Sequence, residues 1–122
     1  MDTLESGLAV ASNALSNIFI YLIMKTLQLF FGRSIGENGY VDDIMWSTFC
    51  DSIDKHFDGY TISDSIGCWK GQQEKSKVVS ILCKSLEDEQ RVKTLCLLYC
   101  SMFNQQSVAI QELPALQFIY HE

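Results

Sequence analysis

Leu4, Leu8, Ala11, Leu15, Ile18 and Leu22 recur at steps of three and four, the spacing of one apolar face of a helix. Asp2, with Glu5 three residues later, resembles a capping pair, so the pattern predicts a helix over about Thr3–Tyr21. The pattern then changes. Thr26–Gly32 is continuously rich in Leu and Phe, which predicts a strand too apolar for an exposed edge. Gly32–Gly39 carries three glycines and reads as a loop. Helical spacing returns at Trp46, Phe49, Ile53 and Phe57, with Asp42 or Asp43 as the cap and Gly59 as the stop.

Beyond Gly59 the chain predicts a strand at Tyr60–Ser65, a turn or bulge through Gly67 and Gly71, and a strand at Ser76–Cys83. Val78, Val79, Ile81 and Leu82 make that strand buried on both faces. Ser85 and Asp88 cap another helix, whose inward residues are Val92, Leu95, Cys96, Tyr99, Met102 and Phe103. Ser107–Glu112 reads as a strand. After Pro114, the alternation over Leu116–Tyr120 predicts one more short strand, at the edge or paired with a partner chain.

The core order is therefore β-α-β-β-α-β. That order predicts an α+β, ferredoxin-like fold: an antiparallel sheet with two helices on one face, an N-terminal helix in front and a short C-terminal strand behind. Residues 1–23 form a helical appendage to a single domain over residues 24–122, and Met24 resembles a natural start in its own right. The second sheet face needs a cover, which the first helix or a second subunit would supply. The expected assembly is a homo-oligomer, most simply a dimer.

Composition sharpens this picture in three places. The net charge of −6 argues against a non-specific nucleic-acid binder, which needs a cationic face. The only positive cluster is Lys70, Lys75, Lys77 and Lys84. The apolar run over residues 8–31 is broken by Ser12, Asn13, Ser16, Asn17, Lys25 and Gln28, and the chain's start is acidic. Neither a membrane span nor a signal peptide is expected. Five cysteines, Cys50, Cys68, Cys83, Cys96 and Cys100, include no C-x-x-C pair, and the simplest reading is reduced thiols in a cytoplasm.

Candidate chemistry concentrates between Phe57 and Val79, where strand pairing gathers Tyr60, Trp69, Lys70, Glu74 and Lys77. An indole stacks on a planar ring, while a lysine beside it supplies a point charge. The alternative is a core tryptophan with solvated lysines. Arg33 and Ser34 end the first strand and enter the glycine-rich loop, where backbone N–H groups and a guanidinium fork suit an anion. That loop lacks the spacing of a P-loop or a dinucleotide fingerprint, so turn-making glycines are the plain alternative. Gln105 lies where the second core helix hands over to the last strand, and its amide offers both a donor and an acceptor; Gln106 more simply satisfies the helix end. His56 and His121 are too far apart to make a metal site by spacing, and no cofactor is expected. Asp51, Asp54 and Asp58 read as a solvated acidic face.

Several blocks carry a resemblance: LFFGRS at Leu29–Ser34, Trp46 and Phe49, F-D-G-Y-T at Phe57–Thr61, and G-x-W at Gly67–Trp69. E-x-S-K-V at Glu74–Val78 and Y-x-x-x-F-x-Q-x-S-V at Tyr99–Val108 complete it. With this spacing the chain resembles the small bacterial and phage proteins grouped as domain of unknown function 3574, over about residues 26–112. Asp58 stands where members often carry a proline-containing turn, and Lys70 where an arginine is expected. The resemblance implies an α+β fold and brings no chemistry.

The expected function is a small non-catalytic protein that binds a small anionic or nucleotide-like ligand through Arg33, Ser34, Trp69, Lys70, Glu74, Lys77 and Gln105. Were the source a phage, sequestering a host nucleotide signal would suit such a binder. The alternatives are a small hydrolase or isomerase acting through Glu74, His56 or Cys68, and a protein–protein module built on the N-terminal helix.

Overall fold

A computed structural model describes residues 24–37 and 39–121 of the chain. The helix expected over Thr3–Tyr21, and with it the division at residue 23, lies outside the described residues. Six strands and two helices follow in the order β1 (Lys25–Gly32), β2 (Ser34–Ile35), β3 (Gly39–Tyr40), α1 (Asp43–His56), β4 (Thr61–Trp69), β5 (Gln72–Cys83), α2 (Leu86–Phe103) and β6 (Ala109–Pro114). The main sheet has the order β4-β5-β1-β6, and every pairing in it is antiparallel. β2 and β3 form a separate two-stranded hairpin inside the loop expected from composition.

β1 is central because its continuous apolar run needs cover on both sides. Leu27, Leu29 and Phe31 alternate onto the helical face and are buried with Val79, Ile81 and Cys83 of β5. Trp46, Phe49 and Ile53 of α1 and Val92, Leu95, Tyr99 and Phe103 of α2 belong to the same cluster, so both helices lie on one face of the sheet. At its centre the Phe31 ring lies 4.7 Å from Tyr99, 5.2 Å from Phe49 and 5.6 Å from Trp46, centroid to centroid. The opposite face is more polar, with Gln28 donating to Ser80 at 3.3 Å and Ser65 hydrogen-bonded to Ser76 at 2.6 Å. Whether the first segment or a second subunit covers that face concerns parts of the assembly outside the described residues.

Capping explains the helix starts. The Asp42 carboxylate accepts from the Met45 N–H at 2.8 Å, and the Ser85 hydroxyl accepts from the Asp88 N–H at 3.1 Å. Asp88 in turn accepts from the Lys84 N–H at 2.9 Å, a reciprocal arrangement close to a capping box.

The structure corrects four local expectations. Gly59 does not end α1: the helix closes at Phe57, which is extended (φ −138°) and donates its N–H to Ile53, and Gly59 is not in the left-handed region. Because nothing lies within 4 Å of a Cβ added there, Gly59→Ala is expected to be neutral or to stabilise by about 0.4–1 kcal/mol through the unfolded chain. A clear drop in urea midpoint would show that Gly59 is needed after all. Second, β4 runs unbroken through Gly67 to Trp69, and only Lys70 and Gly71 turn, at φ 49° and 75°. Two consecutive left-handed residues match the twist of a two-residue hairpin, which is why no bulge is needed. Third, Met102 points outward, while Leu95, Tyr99 and Phe103 carry the stripe.

Fourth, Leu116–Tyr120 is not a strand. β6 pairs with β1 only as far as Lys25 opposite Pro114, where β1 begins. Alternating side chains make a strand only beside a backbone to pair with, and among the described residues none lies opposite Leu116–Tyr120. Leu116 and Phe118 instead line a shallow depression with Phe57 and Leu82.

Candidate functional site

The β4–β5 hairpin is longer than the sheet it belongs to. β1 pairs with β5 from Ser76 to Cys83, whereas β4 pairs with β5 as far as Gln72. The segment from Ile66 to Lys75 therefore projects as a two-stranded ribbon, joined to the body by the Arg33 N–H donating to Lys75 at 3.0 Å. A two-stranded ribbon is thin, so each of its faces opens onto its own cleft.

Alternation sets which face of the ribbon each side chain takes, although Cys68 and Gln73 also reach the first cleft, and Ser65 and Ser76 the second. Gly67, Trp69, Gln72 and Glu74 share the face of Ser65 and Ser76, whereas Ile66, Lys75 and Lys77 share the face of Val79 and Ile81. Glu74 and Lys77 are three residues apart on one strand and so point to opposite sides. Sequence proximity alone had placed them together.

The first cleft, of about 740 Å³, lies against the ribbon tip and is lined by Ser34, Gly36, Glu37, Gly67, Trp69, Lys70, Glu74 and their neighbours. Trp69 is 74% exposed, and the Lys70 ammonium lies 5.7 Å from its ring centroid. Gly67 leaves open space beside the indole, since the nearest atom to an added Cβ is 3.9 Å away. Glu74 is held in place, accepting from the Ser34 N–H at 3.3 Å. The close packing of Glu74 over Gly32 has the same origin: a Cβ on Gly32 would lie 2.2 Å from the Glu74 Oε1. Gln105 braces the Ser34 backbone from the other side, its Nε2 donating to the Ser34 carbonyl at 2.7 Å. Gln105 is therefore not among the residues lining this cleft, and its amide is used in positioning Ser34.

The second cleft, of about 750 Å³, lies on the helical side, between the ribbon and the start of α1. Here Arg33 is only 6% exposed. Its Nε donates to the Val41 carbonyl at 2.8 Å, its Nη2 pairs with Asp43 at 2.9 Å, and its guanidinium carbon lies 4.6 Å from the Tyr40 ring centroid. The glycine-rich loop, folded as the β2–β3 hairpin, thus wraps the guanidinium. Lys77 pairs with Asp64 at 2.5 Å and holds that carboxyl below the usual range. Tyr40, Asp42, Asp43 and Asp64 have no counterpart in the expected set. A sequence signal did exist for Asp42 and Asp43, but as helix caps.

Of the seven expected residues, Ser34, Trp69, Lys70 and Glu74 meet in the first cleft, and Arg33 and Lys77 meet in the second. Of the groups proposed for catalysis, Glu74 and Cys68 both line the first cleft, and His56 stands apart. His56 lies at the far end of α1, where its Nδ1 is 2.8 Å from the Ser52 carbonyl, and it lines neither ribbon cleft. Cys68 is exposed, while burial pushes the Cys83 and Cys96 thiols up to about 11. Tyr60 donates to Asp54 at 2.5 Å, and this bond raises its phenol to about 12. Among the described residues, no three His, Cys, Asp or Glu side chains gather to hold a metal ion, and no helix is long and apolar enough to cross a membrane.

No curated protein matches the chain. Among solved structures, it is similar to a de novo designed protein, Foldit4, with a TM-score of 0.51 and 10% identity over 74% of this chain and 96% of that one. It is also similar to a phage SAM lyase in the apo state, with a TM-score of 0.49 and 21% identity over 79% of this chain and 86% of that one. At these identities the first likeness concerns the path of the chain, and the second, a weaker superposition, adds nothing on chemistry. A family model described as protein of unknown function (DUF3574) matches residues 26–118, and the chain belongs to that family.

Proposed function

We propose that this protein is a non-catalytic binder of a small nucleotide-like ligand, whose planar ring lies on Trp69 at the ribbon tip. The scaffold is read as ferredoxin-like, a split βαβ unit: the order β4-β5-β1-β6 brings the first and third long strands together at the centre. The observation that carries the function is Trp69 itself. A tryptophan 74% exposed, beside a strand glycine and over a cleft of about 740 Å³, forgoes the burial its area would reward. An aromatic platform of this kind takes any base, because every base has a π-face.

Charge narrows the ligand. Among the described residues Lys70 is the only cation lining the cleft, and Glu37 and Glu74 line it too. A nucleoside or a nucleoside monophosphate therefore suits it better than a triphosphate, whose charge would meet two carboxylates. The amide and hydroxyl groups of Gln72, Gln73 and Ser34 supply donors and acceptors for base edges. Sequestering a nucleotide signal is the role such a binder would serve.

The test uses the chain's two tryptophans, of which Trp46 is buried and Trp69 exposed. Adenosine and AMP should quench the fluorescence difference between wild type and Trp69→Phe, and should raise the melting temperature by mass action. Trp69→Ala is expected to weaken binding by about 1–3 kcal/mol, the usual loss of one base–aromatic stack. Its own stability should stay within about 0.5 kcal/mol of wild type, as for other exposed substitutions. If no nucleoside or nucleotide at millimolar concentration moves either signal, the reading fails.

A further inference from the structure

We infer that the helix-side cleft is a second, independent binding site, for a small organic molecule carrying a single negative charge on a carboxylate or phosphate group. The ion pairs set the charge. Six ionised residues line the cleft: Arg33, Lys75 and Lys77 against Asp42, Asp43 and Asp64. Arg33 is paired with Asp43, and Lys77 with Asp64. Asp42 spends an oxygen on the Met45 N–H and sits at the positive end of α1, which offsets its charge. Lys75 is left, exposed and without an ion-pair partner among the described residues. The three cations equal the three carboxylates in number, but Lys75 is the one cation left free to pair with a ligand, and it matches a single anionic charge.

Arg33 supplies the geometry. Its Nε and Nη2 are committed to Val41 and Asp43, and Tyr40 covers one face, so the guanidinium is held before any ligand arrives. Nη1 has no hydrogen-bond partner among the described residues and is not sealed from solvent. A fixed guanidinium with donors to spare loses little freedom when it binds a carboxylate or a phosphate. Ile66, 66% exposed on the same ribbon face, and the half-exposed Tyr40 ring give an apolar wall for the body of the molecule. A bare inorganic ion would leave that wall wet.

The site stands or falls apart from the Trp69 reading, because alternation puts Ile66 and Lys75 on the ribbon face opposite Trp69. The test is a proton–nitrogen NMR titration of the full chain with benzoate, diphenyl phosphate and inorganic triphosphate, following the Arg33 Nε–H and the Ile66 amide. Benzoate or diphenyl phosphate is expected to shift both signals saturably. A response to benzoate alone makes the ligand a carboxylate, and a response to diphenyl phosphate alone makes it a phosphate. Lys75→Glu should weaken binding by about tenfold or more, or 1.4 kcal/mol. Ile66→Ser should weaken it for the organic anions, and Trp69→Ala should leave it unchanged. Absence of a shift with either organic anion, or binding unaffected by Lys75→Glu, overturns the site. Tighter binding of triphosphate than of both organic anions overturns the single-charge assignment.

Discussion

Replacing Phe31 by alanine is expected to cost about 3–5 kcal/mol, the usual range for removing a fully buried phenyl ring. Phe31 is completely buried and touches three other aromatic rings, on α1 and α2, so neither helix can close the gap without leaving the other. A domain of this size has about 5–15 kcal/mol in all, so the variant sits close to unfolding at physiological temperature. Phe31→Leu, which keeps most of the volume, should lose less than about 1.5 kcal/mol. Urea denaturation of the three proteins measures the difference directly. A loss below about 1 kcal/mol in Phe31→Ala would mean that the core repacks around the cavity. The consequence reaches both clefts. Phe31 lies one residue before Gly32, whose carbonyl accepts from the Tyr99 hydroxyl at 2.5 Å, and two before Arg33.

Gly39→Ala is the second change with a large expected effect. A Cβ at this position would lie 2.4 Å from the Ile35 carbonyl oxygen and 2.7 Å from the Ile35 Cβ. The first of these is backbone, so the β2–β3 hairpin must open by more than a side-chain rotation. The expected cost is about 1–3 kcal/mol, as for other overpacked positions. Tyr40 follows directly, and the next residue, Val41, receives the Arg33 Nε at 2.8 Å and donates its N–H to the Arg33 carbonyl at 2.7 Å. Opening the hairpin therefore loosens the guanidinium as well. The variant should bind benzoate or diphenyl phosphate more weakly, and adenosine too, because Ser34, Gly36 and Glu37 of the same hairpin line the first cleft. An unchanged melting temperature would show that the hairpin accommodates the methyl group. Gly59→Ala, where the added Cβ meets nothing, is the matched control.

The elements were legible where their signals are local. The stripe Trp46, Phe49, Ile53 and Phe57, the caps Asp42 and Ser85, and the apolar run of β1 appear in the structure as the pattern predicts. Each depends on residues within one or two turns, or on one continuous segment. Where the expectation failed, a backbone partner decided, near in one case and far in the other. Gly59 looks like a helix stop by type, yet Phe57 already satisfies the end of α1 by donating to Ile53. The tail alternates like a strand, yet β1 begins at Lys25, opposite Pro114, so among the described residues no strand lies beside the tail.

The candidate site divides in the same way. The sequence by itself determined that aromatic and basic groups would crowd the β4–β5 hairpin, because strand propensity and turn residues bring Trp69, Lys70, Glu74 and Lys77 onto neighbouring strands. It also determined that the chain would fold as α+β with two capped helices, since helical and strand periodicities are properties of short stretches. Only the tertiary structure decided which of those groups share a cleft. That depended on the register of β4 against β5, which sends Glu74 and Lys77 to opposite faces. It depended also on contacts between remote segments. Gln105 reaches back 71 residues to brace Ser34, and Arg33 is turned inward by Val41, Asp43 and Tyr40. Periodicity tells a residue which way its own backbone points, but a side chain's partner is set by whatever the rest of the fold places beside it.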